Sequence, residues 1–567
     1  VATVTDSSAQ VHDDGLQRQV GLLGLMWASE GSIIGSGWLF GALLATTLAG
    51  PGSIVSWGIA AAIVILLALV HAELGGIFPV TGGTSRFPHY TFGSLAGASF
   101  GWMSYLQAAT VAPIEVLATI QYMSSAQWAA GFYTGTKGTL SGSGYGVAVG
   151  LMIFFVILNL VGIRWWAQAN NSITTWKVLI PVLAIVVLLL THFHGSNFSA
   201  GGGFWIKGES IPKSIMLAIP GGGIVFALLG FEQAVQLGGE SANPRKDLPR
   251  AVIGSVIIGS IIYIIVQFAF VGALTPATIA AHHSWATLAK DAALNASPYY
   301  TVAKVAGLAW LAWILRVDAV VSPGGTGLIY MTSTSRVSYG LSKNGYIPSI
   351  FEKVGEKSRV PWFSVLAACA VGLLFLLPFP SWGKLVGVVT SASVLMYAAA
   401  PLSLGALRLT KPNLPRPYKL PAAKVLAPLS FILANFIVYW AGWSTYTAVI
   451  AALIIGYALM LLSSAFKLND KAIKMDWTAA KWIFPYFIGM GVISYFGGFG
   501  AGGIIGGIGG LSTVWVGGSG ELPLYWDLVV IAAFSLVIYY TAIGNRLSEA
   551  EVDQLVKDVY PEPSITH

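Results

Sequence analysis

Six ionisable side chains lie inside long apolar stretches of this chain: Glu30, Glu115, Lys177, Glu232, Arg316 and Asp318. A charge at the centre of a bilayer costs about 2.5–3.5 kcal/mol by insertion scales, so each of the six needs a partner or a function. One reading is a set of internal salt bridges that holds a helix bundle together. The other is a polar pathway, in which buried carboxylates and a lysine bind a charged solute or carry protons. Arg316 and Asp318 are two positions apart on a helix, so they face different partners. Next to Glu30 runs Gly31-Ser32-Ile33-Ile34-Gly35-Ser36-Gly37, three glycines and two serines in seven residues. Glycines weaken a helix and let the backbone turn. In lipid, freed N–H and C=O groups are tolerated only where protein, water or a ligand satisfies them. The stretch therefore reads as a break between two half-helices, the arrangement that builds binding sites at the middle of a membrane. Close helix packing by small residues is the alternative.

Other chemistries find little support. No HExxH, CxxC or phosphate-loop pattern occurs, so neither a metal, a cofactor nor nucleotide hydrolysis is expected. Cys369 is the only cysteine and sits in an apolar run. His71 and Glu73, near the end of the second run, read as interfacial or structural, and His282-His283 as a solvated loop pair.

The elements that must position these residues are membrane spans. The 567 residues are 55% hydrophobic and 9% charged, with 67 glycines. No soluble domain has that balance. Fourteen apolar runs of spanning length follow one another: 20–49, 53–78, 97–124, 146–163, 171–191, 215–239, 251–273, 303–335, 361–379, 383–407, 425–442, 444–465, 482–500 and 524–544. The first is too long for the hydrophobic core of a signal peptide. With the N-terminus placed inside, only Lys137, Lys207, Lys213, Lys290, Lys304 and Lys384 fall outside, and Lys177 and Arg316 fall within the membrane. All the other lysines and arginines are then cytoplasmic, which predicts both ends inside. The net charge of +7 is a consequence of topology and implies no nucleic-acid partner.

The sixth run repeats the texture of the first, with Pro220-Gly221-Gly222-Gly223 and a small-residue step around Phe226–Gly230. Two interrupted helices five spans apart predict a five-plus-five repeat, inverted because each half has an odd number of spans. The expected division is a flexible tail (1–17), a first five-helix repeat (18–200), a second (201–410), helices 11 and 12 (411–465), two extra helices (466–545) and a cytoplasmic tail (546–567). The Gly-rich 497–510 stretch reads as a re-entrant segment or a packed loop.

Six signals occur in order between Val20 and Ala465. They are Ile34-Gly35-Ser36-Gly37; Ala72-Glu73-Leu74-Gly75 with Pro79 and Gly82-Gly83; Asn159, Gly162, Asn170-Asn171 and Lys177; Gly230-Phe231-Glu232 with Glu240, Asn243-Pro244 and Pro249-Arg250; Arg336 to Asn344-Gly345 and Pro348; and Leu407-Arg408, Pro412 and Arg416-Pro417-Tyr418-Lys419. This order resembles the amino acid–polyamine–organocation (APC) permeases, and fourteen spans look most like their aspartate–proton symporter branch. The resemblance implies an all-α polytopic membrane protein with the five-plus-five inverted-repeat transporter fold. It implies that a substrate α-carboxylate takes the backbone N–H groups of Ser36 and Gly37, beside Gly35 and the Ser32 hydroxyl. Exposed amides at a half-helix N-terminus bind an anion without help from arginine. The α-ammonium is expected on the carbonyls of Ile33, Phe226, Ala227 and Leu229, next to Gly230, with the Phe226 ring as a lid.

Glu232 matches a carboxylate assigned to gating or proton coupling. Lys177 matches a lysine that fills the place of a sodium ion in sodium-independent relatives, tying the first and eighth spans when charged. Thr84-Ser85-Arg86 stands where the family usually has a tyrosine. Glu30 stands where most members have a small or apolar residue, which makes it a further coupling candidate. Glu115, Arg316 and Asp318 are the side-chain specificity candidates, since an arginine that reaches the cavity would pair with a substrate carboxylate. The expected function is proton-coupled symport of an acidic amino acid across the cytoplasmic membrane, with the lipid bilayer, the substrate and protons as partners. The alternatives are a permease or exchanger for neutral or cationic amino acids or amines, and a non-transporting receptor on the same scaffold.

Overall fold

A computed structural model of the protein describes residues 20–134, 139–161, 163–355, 360–377, 381–471, 475–499 and 518–557, with the side chains of 161–170 outside that description. The expected tail 1–17 and most of the Gly-rich 497–510 stretch lie outside the described residues. The first apolar run folds as α1 (Leu22–Ile33) and α2 (Gly37–Ala49), parted at Ile34, whose φ of −88° and ψ of 82° are not helical. Gly50-Pro51-Gly52 turns the chain into α3 (Ser53–Ile77). Gly82, left-handed at φ 71°, starts α4 (Gly83–Met123). A side chain there would meet the Arg336 carbonyl oxygen at 2.7 Å, so this start tolerates only glycine. A hairpin of β1 (Tyr133–Thr134) and β2 (Thr139–Leu140), antiparallel with Tyr133 opposite Leu140, leads to α5 (Gly142–Val161) and α6 (Ile163–Thr191).

The sixth run is broken twice. α7 (Ile211–Gly221) stops where Gly223 is left-handed at φ 74°, and α8 (Ile224–Leu228) is little more than one turn. Leu229, extended, and Gly230, at φ 132°, then carry the chain into α9 (Glu232–Gln236). Asn243 precedes α10 (Pro244–Ala273), whose first position holds a proline where its missing N–H has no helical partner to lose. There follow α11 (Pro276–His282), α12 (Ala292–Ala296), α13 (Pro298–Val305), α14 (Ala309–Lys343), α15 (Trp362–Leu376), α16 (Trp382–Thr410), α17 (Ala423–Trp440), α18 (Trp443–Ala465), α19 (Trp477–Ala480), α20 (Ile483–Phe496), α21 (Trp526–Gly544) and α22 (Glu549–Val556).

Helix lies over each of the fourteen apolar runs, whole or in pieces. Among the described residues, nine helices are long and apolar enough to cross a membrane. The core is built on α4, which packs against both α14 and α16, and on α10 against α3. Outward faces stay apolar, with Leu190 80%, Ile488 66% and Val537 64% exposed. An apolar surface of this extent marks contact with lipid rather than water.

α20 and α21 are part of the packed body. Trp482 lies 5.3 Å from the Phe92 ring and 6.0 Å from Phe100, both on α4. Tyr486 donates to Asn435 on α17 at 2.7 Å, and Asn435 donates to Ser535 on α21 at 2.9 Å. The Tyr439 hydroxyl donates to the buried carboxylate of Asp527. The Lys/Arg-rich end is laced by backbone and by charge. Val20 N–H donates to Glu240 O at 3.0 Å and Gly82 N–H to Gln236 O at 3.0 Å. Arg336 holds Glu240 at 2.9 Å, and Glu73 accepts from Arg408 and pairs its charge with Arg416 at 3.1 Å.

Candidate functional site

The two broken helices meet at their breaks. A Cβ on Gly37 would stand 2.7 Å from the Ala227 Cβ, and one on Gly230 would stand 2.7 Å from the Ile33 nitrogen. Ser29 Oγ donates to Phe231 O at 3.2 Å, and Tyr263 of α10 donates to Ile33 O at 2.7 Å. Glycine at these points is what lets two irregular backbones touch without a side chain between them. Between the breaks lies a small cavity lined by Ser32, Ile33, Gly35, Gly37, Val111, Glu115, Phe226, Leu229, Thr326 and Tyr330. Glu115 is the one charged side chain among them.

The polar groups around this cavity are arranged tightly. Ser36 N–H donates to Glu115 Oε2 at 2.9 Å. This half-helix amide, expected to await a substrate carboxylate, is therefore held by a carboxylate of the protein's own. Ser32 Oγ donates back to Ala28 O at 2.8 Å. The Lys177 ammonium donates to Gly31 O and, at 2.6 Å, to Thr326 Oγ1. Thr326 Oγ1 also donates to Gly31 O at 2.9 Å. The lysine thus joins α6 to the end of α1 and to the cavity-lining turn of α14. Glu232 accepts from Gln107, Tyr330 and Gln233 on one oxygen, and from Gly230 N–H at 2.9 Å and Tyr397 at 2.5 Å on the other. Five donors hold this carboxylate, and one of them is the backbone of the second break. Glu30 is the opposite case: it is 1% exposed, and neither carboxyl oxygen has a hydrogen-bond partner among the described residues.

Arg316 and Asp318 do not line the cavity. The Arg316 guanidinium lies 4.0 Å over the Tyr300 ring and reaches Ser125 Oγ at 3.4 Å. Asp318 is buried and accepts from the indoles of Trp38 at 3.1 Å and Trp176 at 2.9 Å, and from Ser322 at 2.7 Å. The expectation of an arginine reaching the cavity does not fit this placement, because α14 turns Arg316 toward α13 and the end of α4. Of the two readings of His71 and Glu73, the structural one fits, since both are buried. His71 packs edge-on to Phe231 and to Tyr397, the latter a donor to Glu232.

Four contributors escaped the sequence reading. Thr326 lies in Ser322-Pro323-Gly324-Gly325-Thr326-Gly327, a small-residue stretch whose texture resembles the two breaks and was there to be used. Tyr330 follows one turn later. Val111 and Trp382 carry no local signal. Trp382, at the start of α16, donates to Ser36 Oγ at 2.7 Å and meets the Phe226 ring edge-on at 5.6 Å.

Comparison with known proteins identifies the family. A family model described as amino acid permease matches residues 20–460. The glutamate/serine transporter AimA of Bacillus subtilis (strain 168) is 37% identical over 94% of this chain and 94% of its own. The aspartate-proton symporter of the same organism is 35% identical over 95% of this chain and 98% of its own. The branched-chain amino acid permease BcaP, also from that organism, is 25% identical over 80% and 94%. A broken-helix cavity inside a multi-pass helical body, matched along nearly its whole length by transporters, leads to one conclusion: this chain belongs to the amino acid permease family of the APC superfamily, as a membrane transporter and not an enzyme.

Proposed function

We propose that this transporter is a proton-coupled symporter that favours acidic amino acids and works by alternating access across the cell membrane. The observation that carries the reading is Glu115 on the Ser36 amide. A substrate α-carboxylate that takes Ser36 and Gly37 must displace Glu115. Two ionised carboxylates do not share one site, so Glu115 takes a proton as the substrate arrives. Proton and amino acid then bind together, which is the requirement for symport. Substrate ammonium goes to the carbonyls around Ile33 and Phe226–Leu229, at the ends of half-helices.

Lys177 acts as the cationic link between α1 and α14, releasing them when it is neutral. Glu232 holds the second break and gates it. Glu30, buried with no hydrogen-bond partner among the described residues, serves as a second proton carrier. A side-chain carboxylate of the substrate would meet the hydroxyls of Thr326 and Tyr330, with the Lys177 ammonium directly behind Thr326. The same reading includes fourteen spans, a five-plus-five inverted repeat and both termini in the cytoplasm. The names of two relatives, a glutamate/serine transporter and an aspartate-proton symporter, support it. A second reading, transport of neutral or cationic amino acids, is favoured by Glu115 being the one charge on the lining.

Uptake into proteoliposomes with a panel of competing amino acids separates the two. The expected result is accumulation of aspartate or glutamate, driven by an inward proton gradient and collapsed by a protonophore. Uptake driven by sodium with no effect of pH, or competition by neutral amino acids alone, overturns the proposal.

A further inference from the structure

The Ser36 hydroxyl, at the first break, departs from the habit of its neighbours. Ser32 donates back to Ala28 O, Thr46 to Ala42 O and Ser260 to Val256 O. Bonding to the preceding turn is the ordinary fate of a serine or threonine hydroxyl in a helix. For Ser36 the corresponding carbonyls belong to Ser32 and Ile33, and Ile33 O is one that the proposed site needs for a substrate ammonium. Ser36 has another partner instead. The Trp382 indole N–H, from the first residue of α16, donates to its Oγ at 2.7 Å. An indole N–H only donates, so Ser36 Oγ accepts there and keeps its own proton for a second acceptor. The Glu115 carboxylate, which takes the Ser36 N–H at 2.9 Å, faces that hydroxyl as well. One serine thus presents two donors, N–H and O–H, to one carboxylate.

Trp382 is itself fixed in place. It is 1% exposed, and its ring lies 5.2 Å from that of Phe40 and 5.6 Å from that of Phe226. On its far side, a Cβ on Gly223 would stand only 3.0 Å from the ring. Contacts with α2 and with both ends of the α7–α8 junction leave the indole one direction in which to point its N–H.

We propose that Trp382 is a positioning residue for the substrate carboxylate. Its indole N–H holds the Ser36 hydroxyl forward, so that N–H and O–H of Ser36 together receive whichever carboxylate occupies the first break, that of Glu115 or that of the amino acid. This role rests on the proposed placement of the α-carboxylate at Ser36 and Gly37, and not on proton coupling or an acidic side chain. A donor fixed before the ligand arrives costs little to order when it binds. Without the indole N–H, the hydroxyl turns back to Ser32 O or Ile33 O, and the carboxylate keeps the backbone amide alone.

Equilibrium binding to purified protein in nanodiscs, with no gradient, tests this. The probes are the two that the parent binds most tightly from a panel of the standard L-amino acids. Trp382→Phe keeps an aromatic ring against Phe40 and Phe226 and removes the N–H. It is expected to weaken both probes by the same factor, roughly three- to tenfold, the range for one hydrogen bond, and to lower affinity more than maximal exchange rate. Ser36→Ala is expected to weaken both at least as much. Adding Trp382→Phe to Ser36→Ala should then cost nothing further, because the indole acts through the hydroxyl. Thermal melts confirm that each variant is folded. Binding as tight as the parent's in Trp382→Phe overturns the proposal. Losses that multiply in the double variant also overturn it, since Trp382 then acts through packing. So does a factor that differs between the two probes, because a donor to the α-carboxylate cannot tell side chains apart. Unchanged binding in Ser36→Ala would overturn both this role and the carboxylate placement beneath it. Uptake that proves independent of protons would leave every one of these binding ratios as expected, so the symport reading fails separately.

Discussion

At the scale of residues, the buried charges divide by what satisfies them. Glu232 has five donors, Asp318 three, and Lys177 a carbonyl and a hydroxyl. Glu30 has none. Glu115 holds a backbone amide that an α-amino acid would also seek. On the proposed reading, this difference separates charges that hold the structure from charges free to exchange. Removing the Lys177 side chain leaves Gly31 O and Thr326 without their cation, a loss of about 1.5–3 kcal/mol for a charged hydrogen bond. Lys177→Ala is therefore expected to reduce pH-driven accumulation by roughly tenfold or more while the protein still elutes as a folded species. Retained accumulation in that variant would end the coupling role. Glu115→Gln keeps an acceptor for Ser36 N–H but has no proton to exchange. It should bind and exchange substrate yet fail to concentrate it when a proton gradient is imposed, and counterflow beside gradient-driven uptake checks both halves.

At the scale of elements, the site is a meeting of two irregular backbones, and glycine decides whether they meet. Gly230 combines φ 132° with a neighbour, the Ile33 nitrogen, that cannot move away from an added Cβ at 2.7 Å. Gly58, on α3, has open space around its missing side chain. Gly230→Ala is expected to abolish uptake and lower the melting temperature, since strain at such a φ costs about 1–3 kcal/mol before the clash is counted. Gly58→Ala should leave uptake unchanged and raise helix stability by about 1 kcal/mol at most. Thermal melts in detergent with parallel uptake measurements make the comparison. Equal behaviour of the two variants would mean that the breaks are not in contact during transport.

At the scale of the whole molecule, the last two long helices are built into the body that carries the cavity. Trp482 is buried between rings of α4, the same helix that presents Val111 and Glu115. Asn435, Ser535 and Tyr486 form a buried polar link among α17, α21 and α20. Removing a buried ring of this size costs about 3–5 kcal/mol. Trp482→Ala should therefore lower the melting temperature and slow transport, although it touches no cavity residue. A variant that melts as the parent does would show that α20 is a peripheral addition.

The sequence by itself determined the membrane class, the family and the place of both breaks. Those properties are written locally: in apolar run length, in the ordered motifs between Val20 and Ala465, and in glycines that no straight helix would collect. What only the tertiary structure decided is where side chains point. α4 is buried on nearly all sides, so no exposed face marks an inside. Nothing near residue 115 reveals that Glu115 reaches an amide 79 positions earlier. The sequence identified Arg316 as a costly charge, but it could not say that the helix turns it toward Tyr300 and away from the cavity. Both directions follow from a helix rotation that packing sets across many contacts, and no short stretch of residues carries that information.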